Sequence, residues 1–348
     1  MLLSLIIPAY NAGHFLGNAL ESVLCQTGRE FEILIVDDGS GDDTADVAQE
    51  YAGRFSNIRL ISSKHRGVSH ARNLGLDAAK GTYVAFLDAD DVLCSKAYTH
   101  EVEALLREES YDIISFAYLH GDESLRWGNM VPEASGAVDS THPEFRRMVT
   151  RKSFCSFLYR REILEGLRFP EGIRYSEDCV FAYMAACRGK NMLRRDQCWF
   201  IYRNHVFSAV HKTDGGDYIR TDAIPAWFYA ANAVDTPQAR WDCWGMVYEL
   251  TADYLRRRAM SGETLSNLMY ALSHHEAIRT VLDHPGTYWT TGKTDRIIHS
   301  FRNKPRRTWL KYRFAGIFAE TLRKLSRTMP VRYLYFRMRY RLDLTDWR

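Results

Sequence analysis

The sequence predicts an α/β fold: a mostly parallel central sheet flanked by helices, followed by a helical C-terminal region. Three observations carry that expectation. From Leu2 to Ala79, short apolar runs alternate with segments of helical spacing. This is the rhythm of βαβ units, with parallel strands and right-handed crossovers. Several of the apolar runs stop abruptly at polar or acidic residues, the signature of strands whose carboxyl ends open on a crevice. From Asp217 onward the texture changes to long helical patterns.

Taken in order, Leu2–Ile7 is an apolar strand ended by Pro8, Ala9 and Tyr10. His14–Gln26 then carries helical spacing through Phe15, Leu16, Leu20, Val23 and Leu24. Phe31–Val36 is a second strand, ending in Asp37-Asp38-Gly39-Ser40, and Thr44–Tyr51 a second helix. Ile58–Ile61 is a third strand, and a loop around Gly67 leads into a helix over Ser69–Ala79. The stretch YVAFLDADDV, Tyr83–Val92, is a buried strand too short for a helix, stopping at Asp88, Asp90 and Asp91. Beyond it come a helix at Lys96–Arg107, a strand at Asp112–Tyr118 and an irregular excursion from His120 to Ser140. Its length marks that excursion as a functional flap. Phe154–Tyr159 reads as a strand and Arg161–Glu165 as a short helix. Ser176-Glu177-Asp178 opens an apolar helix, and Met192–Tyr202 returns as a strand followed by Arg203, Asn204, His205, Ser208 and His211. Helices are expected over Tyr218–Val234, Arg240–Met260 and Leu265–Leu282.

Composition is ordinary for a globular chain, with 46% hydrophobic and 26% charged residues over 348 positions. Seven cysteines are scattered with no C-x-x-C pair, which argues for reduced thiols in a cytosol-like compartment and against a zinc site. The N-terminal MLLSLIIPAYN has no basic leader, and no apolar window is long enough to span a bilayer. The net charge of +3 is uneven, because residues 293–348 interleave Arg and Lys with aromatics and carry few acids. Such a stretch suits an anionic membrane surface, while a nucleic-acid surface or a packed helix pair with a solvated basic face are the alternatives. No nucleic-acid motif accompanies it, so no nucleic-acid partner is expected.

Chemistry concentrates at strand ends. Three clustered carboxylates repel, and a hard cation such as Mg²⁺ or Mn²⁺ is the usual way to hold them together. Helix capping, the structural alternative, needs one acid and not three. Tyr10, Asn11, Asp37 and Asp38 face the same crevice, where a carboxylate can accept from a nucleobase N–H or a ribose hydroxyl. Asx-turn chemistry explains Asp38-Gly39-Ser40 equally well. Arg66, Arg72 and Asn73 enter a helix whose positive end, with forked guanidinium donors, suits a diphosphate. Glu177 and Asp178 at a helix start also satisfy the helix dipole without any catalytic role. His205 and His211 are each either a metal ligand, a phosphate donor or an ordinary polar contact.

SLIIPAYN, EILIVDDGSGDDT, GVSHARNLGL, GTYVAFLDADD and SEDCVF, in that order, resemble the family 2 glycosyltransferases of GT-A fold over about the first 210 residues. The resemblance implies a nucleotide-sugar donor, with UDP the usual nucleotide, a divalent metal (Mn²⁺ or Mg²⁺) and inversion at the anomeric carbon. It places Pro8, Tyr10 and Asp37 or Asp38 around the nucleobase and Arg72 near base or diphosphate. Asp88-Ala89-Asp90 matches the family's D-x-D, with Asp88 toward ribose and Asp90 on the metal. Asp178 matches the catalytic base, Glu177 its neighbour, and Arg203 lies in the segment that closes over the diphosphate, with His211 a candidate metal ligand. The expected domains are 1–215 (nucleotide half 1–110, acceptor half 111–215) and, from composition and helical texture alone, a helical region 216–292 and a basic amphipathic tail 293–348. The chain lacks the Q-x-x-R-W box of processive synthases, so transfer of a single sugar to a glycan or lipid-linked glycan is expected, in the cytoplasm at the inner face of the plasma membrane. A haloacid-dehalogenase-like phosphatase would place its aspartate pair on the first strand, and a nucleotidyltransferase would want a Gly/Arg/Lys-rich loop where PAYNAGHF stands.

Overall fold

The structure, a computed structural model, describes residues 1–142, 144–173, 175–205, 218–261 and 306–312. In chain order the elements are β1 (Leu3–Ala9), α1 (Gly13–Leu24), β2 (Phe31–Asp37), α2 (Thr44–Arg54), β3 (Ile58–Ser62), α3 (Val68–Ala78) and β4 (Tyr83–Phe86). They continue with β5 (Val92–Leu93), α4 (His100–Arg107), β6 (Ile113–Gly121), β7 (Trp127–Val131), β8 (Gly136–Asp139), α5 (Phe145–Met148) and β9 (Phe157–Arg160). The last are α6 (Glu177–Arg188), β10 (Asn191–Arg203), α7 (Tyr218–Ala233) and α8 (Pro237–Ser261). One sheet runs in the order β3-β2-β1-β4-β9-β6-β10-β5, with β7 added to β6 and β8 to β10. The first four strands are parallel. β9 is antiparallel to both its neighbours, and β10 is parallel to β6.

The expected βαβ rhythm therefore holds through β4, and the sheet becomes mixed beyond it. β1, β2 and β4 are buried along their whole length, which is why their sequences are largely apolar without alternation; two buried exceptions, Ser4 and Glu32, satisfy each other at 2.6 Å. They are neighbours in the sheet, so their carboxyl ends open on one crevice, as the strand-end residues suggested. α3 lies close on β1: a Cβ at Gly75 would come within 2.4 Å of Ile6, so only glycine permits this approach.

Behind the crevice sits an aromatic core. Phe86 of β4 lies 5.2 Å from Phe154, 5.4 Å from Phe169 and 5.9 Å from Phe181 of α6 (centroid distances), and Phe169 stacks on Phe181 at 3.8 Å. Each such ring, taken from water, contributes roughly 1.5–3 kcal/mol. The cluster fixes α6 against β4, and with it the acids at the start of α6.

Four expectations are corrected. The stretch from His120 to Ser140 is not irregular throughout, for it contains β7 and β8. Both are short additions to longer strands, and the side chains of β8 are largely exposed, so neither carries an apolar alternation to read. α4 begins at His100 and not at Lys96, because Tyr98 is buried with its N–H on Gln26, and Thr99 caps the helix by accepting from Val102. The strand expected from Phe154 starts at Phe157, after a 3-10 turn over Phe154–Ser156. Cys94 and Cys198 are not separate thiols: they meet as a disulfide between residues 104 positions apart, beside the β5–β10 pairing.

By its internal contacts the chain divides into two compact units, 1–222 with 232–236, and 223–231 with 237–348. The second contains α8 and most of α7, with Phe228 edge-on to Trp244 at 5.5 Å. Among the described residues no helix is long and apolar enough to cross a membrane. The helix expected at Leu265–Leu282 lies outside the described residues. So does the basic tail, except for residues 306–312, which are helical.

Candidate active site

The crevice is built first from backbone. Asn11, in a left-handed conformation (φ 50°), follows Tyr10 at the end of β1. Its N–H donates to Ser40 Oγ at 2.9 Å, and its side-chain oxygen accepts from Gly41 N at 2.8 Å. Asp37, and not Asp38, accepts from the N–H and hydroxyl of Ser40, at 3.1 and 2.5 Å. Asp38 is buried and accepts from Arg66 N at 3.0 Å and Gly67 N at 2.7 Å. Gly39 is required: its φ is 74°, and a Cβ would stand 2.8 Å from His65 N. Thus the loops after β1, β2 and β3 form one preassembled wall. Pro8, expected at the nucleobase, is buried inside β1 opposite Val36.

Arg72 is the centre of the site. Projecting from α3, it donates to Glu177 at 2.8 Å and to Asp88 at 2.9 Å, while its guanidinium lies over Phe154 (4.4 Å) and Phe169 (5.4 Å). Burial works against its charge, yet Asp88 and Glu177 outweigh burial and hold its pKa above the ordinary value. In this structure both forks of the guanidinium are paired with carboxylates. It joins the D-x-D turn to the start of α6. Asn73 exchanges two hydrogen bonds with the Phe169 backbone through its buried amide, at 3.0 and 2.9 Å. Arg66 carries its side chain outward to Glu171 at 2.8 Å.

The chain enters α6 through Ser176 in a left-handed conformation (φ 67°), a strained backbone for a non-glycine residue. That turn sets Glu177 against Arg72 and leaves Asp178 half-buried beside it. Burial, together with the charge of Asp178, raises the Glu177 carboxyl above its usual range. Burial raises Asp178 as well, against the pull of Arg72. Two adjacent carboxyls facing one guanidinium titrate as a set, and the set is held nearer neutrality than free acids.

The end of β10 clamps the acidic turn. Arg203 N donates to Asp91 Oδ1 at 2.8 Å, and its guanidinium donates to the Asp90 carbonyl at 2.7 Å and the Glu123 carbonyl at 3.0 Å. His205 Nε2 lies 2.8 Å from Asp90 Oδ2, with its ring on Phe15 at 4.7 Å. Arg203 thus braces the turn. Ala89 is buried between the acids, and Asp88 and Asp90 each leave a third of their side chain exposed to the crevice. Burial, then the Asp88 charge, raises Asp90, and burial with both neighbouring acids raises Asp91 further. His211 lies outside the described residues; His205, weighed beside it in the sequence, is the histidine found at the acids.

Residues 4–168 match the family model described as Glycosyl transferase family 2. That stretch is therefore similar to family 2 glycosyl transferases. EpsJ of Bacillus subtilis, an uncharacterised glycosyltransferase, is 32% identical over 213 residues, 59% of this chain and 61% of EpsJ. YibD of Escherichia coli, also an uncharacterised glycosyltransferase, is 39% identical over 190 residues, 50% of this chain and 54% of YibD. The matches thus span little more than half of those relatives. The fold is also that of the Staphylococcus aureus TarS fragment 1–349 crystallised with UDP-GlcNAc: TM-score 0.65, 17% identity, 90% of this chain and 91% of that one. The likeness establishes the GT-A fold.

A metal's fit can be judged from the donors present. Among the described residues no three ligating side chains converge on one point. Asp90 and His205 already lie together, Asp88 adds its charge to Asp90, and the buried Asp91 Oδ2 has no hydrogen-bond partner. Clustered carboxylate oxygens, one of them without a hydrogen-bond partner, suit a hard cation such as Mg²⁺ or Mn²⁺. The residues fit such an ion.

Proposed function

We propose that the protein is a metal-dependent, inverting glycosyltransferase. It would move one sugar from a nucleotide-sugar, a UDP-sugar by preference, to a hydroxyl of a glycan or lipid-linked glycan in cell-surface polysaccharide synthesis. The observation that supports this reading best is the Arg72 bridge, which ties a donor-side acid, Asp88, to the acid pair of α6 within one buried unit. A transferase needs its leaving-group site and its base held in fixed relation.

In this reading Tyr10, Asp37 and Asp38 border the nucleobase, Asp88 faces the ribose, and Asp90 with His205 holds the cation. The ion's chemistry is to offset charge on the departing nucleoside diphosphate. Asp178 accepts the proton of the acceptor hydroxyl. The new bond from that oxygen to the anomeric carbon forms as the bond to the diphosphate oxygen breaks, on the opposite face of the sugar. Glu177, paired with Arg72, keeps Asp178 in place and adds to the negative field that makes it a better base. Residues 111–215 would meet the acceptor.

Asp90→Ala should weaken UDP binding in manganese by at least about tenfold, which is ~1.4 kcal/mol, without altering metal-free binding. Calorimetry with and without Mn²⁺ decides it, and manganese-enhanced binding that survives the substitution contradicts the assignment. We further propose that residues 293–348 dock on an anionic membrane face, which would place the enzyme at the inner face of the plasma membrane. A chain truncated before Lys293 should then no longer sediment with anionic vesicles, and undiminished sedimentation refutes the docking.

A further inference from the structure

Tyr10 stands 47% exposed at the mouth of the crevice, yet one face of its ring is already covered. His65, from the loop between β3 and α3, stacks on it with centroids 4.0 Å apart and planes 20° from parallel. The same imidazole reaches Asp38, with Nδ1 2.9 Å from Oδ2. A carboxylate only accepts, so Nδ1 carries the proton in this contact. His65 therefore makes at once the two contacts that the proposed site offers a nucleobase, a stack on Tyr10 and an N–H donated to Asp38.

Asp38 offers almost no free surface while the imidazole is in place. The Asp38 side chain is only 3% exposed, whereas that of His65 is 55% exposed. No third ring fits between two rings already in stacking contact, so a base reaching this face and this acid must take the place of the imidazole. The His65 backbone cannot retreat far, because Gly39 packs directly against its nitrogen. The side chain can, by a rotamer change into solvent. Asp38 keeps its shape meanwhile, since Arg66 N and Gly67 N hold both its oxygens.

We propose that His65 is a displaceable occupant of the nucleobase site, holding Tyr10 and Asp38 until a base with an N–H donor at its edge takes both contacts. The inference rests on the nucleotide-sugar reading and adds a residue and a base class to it. A base presenting an N–H there, as uracil or guanine does, replaces the imidazole bond for bond. Cytosine, which presents a ring acceptor at that edge, leaves Asp38 facing a lone pair.

An occupant lowers apparent affinity by the fraction of time it fills the site. His65→Ala should therefore bind UDP in manganese about three- to tenfold more tightly than the unaltered chain, as for a site covered most of the time. In NMR spectra of the unaltered protein, saturating UDP should move the His65 ring protons away from the shifts imposed by Tyr10. CDP should bind both proteins more weakly than UDP. Equal or weaker UDP binding by His65→Ala, or His65 resonances that stay put while UDP binds, overturns the proposal and leaves the glycosyltransferase reading standing. If neither protein binds UDP, GDP or CDP, that reading falls, and this inference with it.

Discussion

Asp178→Asn is expected to lower kcat by about 10²–10⁴-fold, the usual contribution of a positioned general base, while UDP binding stays nearly unchanged. The amide preserves size and can still face Arg72, so the loss isolates proton acceptance from architecture. The same carboxyl predicts the acid limb of the pH profile. Burial raises Asp178, and the base must be ionised to act. Activity should therefore rise with pH through a midpoint above the ordinary carboxylate range of roughly 4. Because Glu177 is raised beside it, the midpoint belongs to the pair. Stability runs the other way: carboxyls held above their unfolded values bind extra protons in the native state. Their contribution is thus lost as pH climbs through the raised values. Single-turnover rates and a pH series on both proteins check this; near-normal transfer by Asp178→Asn would remove the base assignment.

Arg72→Met should be the most damaging substitution to the fold of the site. Methionine fills much of the space over Phe154 and Phe169 but leaves Glu177 buried without its cation. Removing one partner of a buried ion pair typically costs about 3–5 kcal/mol. The double substitution Arg72→Met with Glu177→Gln should recover a sizeable part of that loss, since the buried charge is then gone and only the part-exposed Asp88 is left without its partner. Activity should not return, because Asp88 and α6 lose their common strut. Denaturant unfolding of the single and double variants tests this directly. A single variant as stable as the unaltered chain would show that the bridge carries no weight.

The parallel half of the fold was legible because β1, β2 and β4 are buried on both faces and so appear as largely apolar runs. β7 and β8 were not, for they are held by partners distant in sequence and carry no pattern of their own. The same distinction runs through the site. Asp88, Asp90 and Asp178 could be picked out as acids at element ends, but Arg72 and Arg203 showed only their charge. That one bridges Glu177 to Asp88, and the other grips the turn from the end of β10, depends on contacts 105 and 112 residues apart. Cys94 and Cys198 were misjudged for the same reason, since no spacing rule pairs residues 104 apart. His65 left no mark in the motifs at all. The only available signal was an aromatic-stacking ring in the loop facing Asp38-Gly39, and that becomes visible only once the loops are brought together.

The most direct test of the whole account is a crystal of the protein soaked with UDP and manganese, measured for the anomalous signal of the metal. The account predicts a manganese peak bonded to Asp90 and a uracil ring on Tyr10 with its N–H directed at Asp38. Nucleotide bound elsewhere, or a manganese peak remote from Asp90, would contradict it.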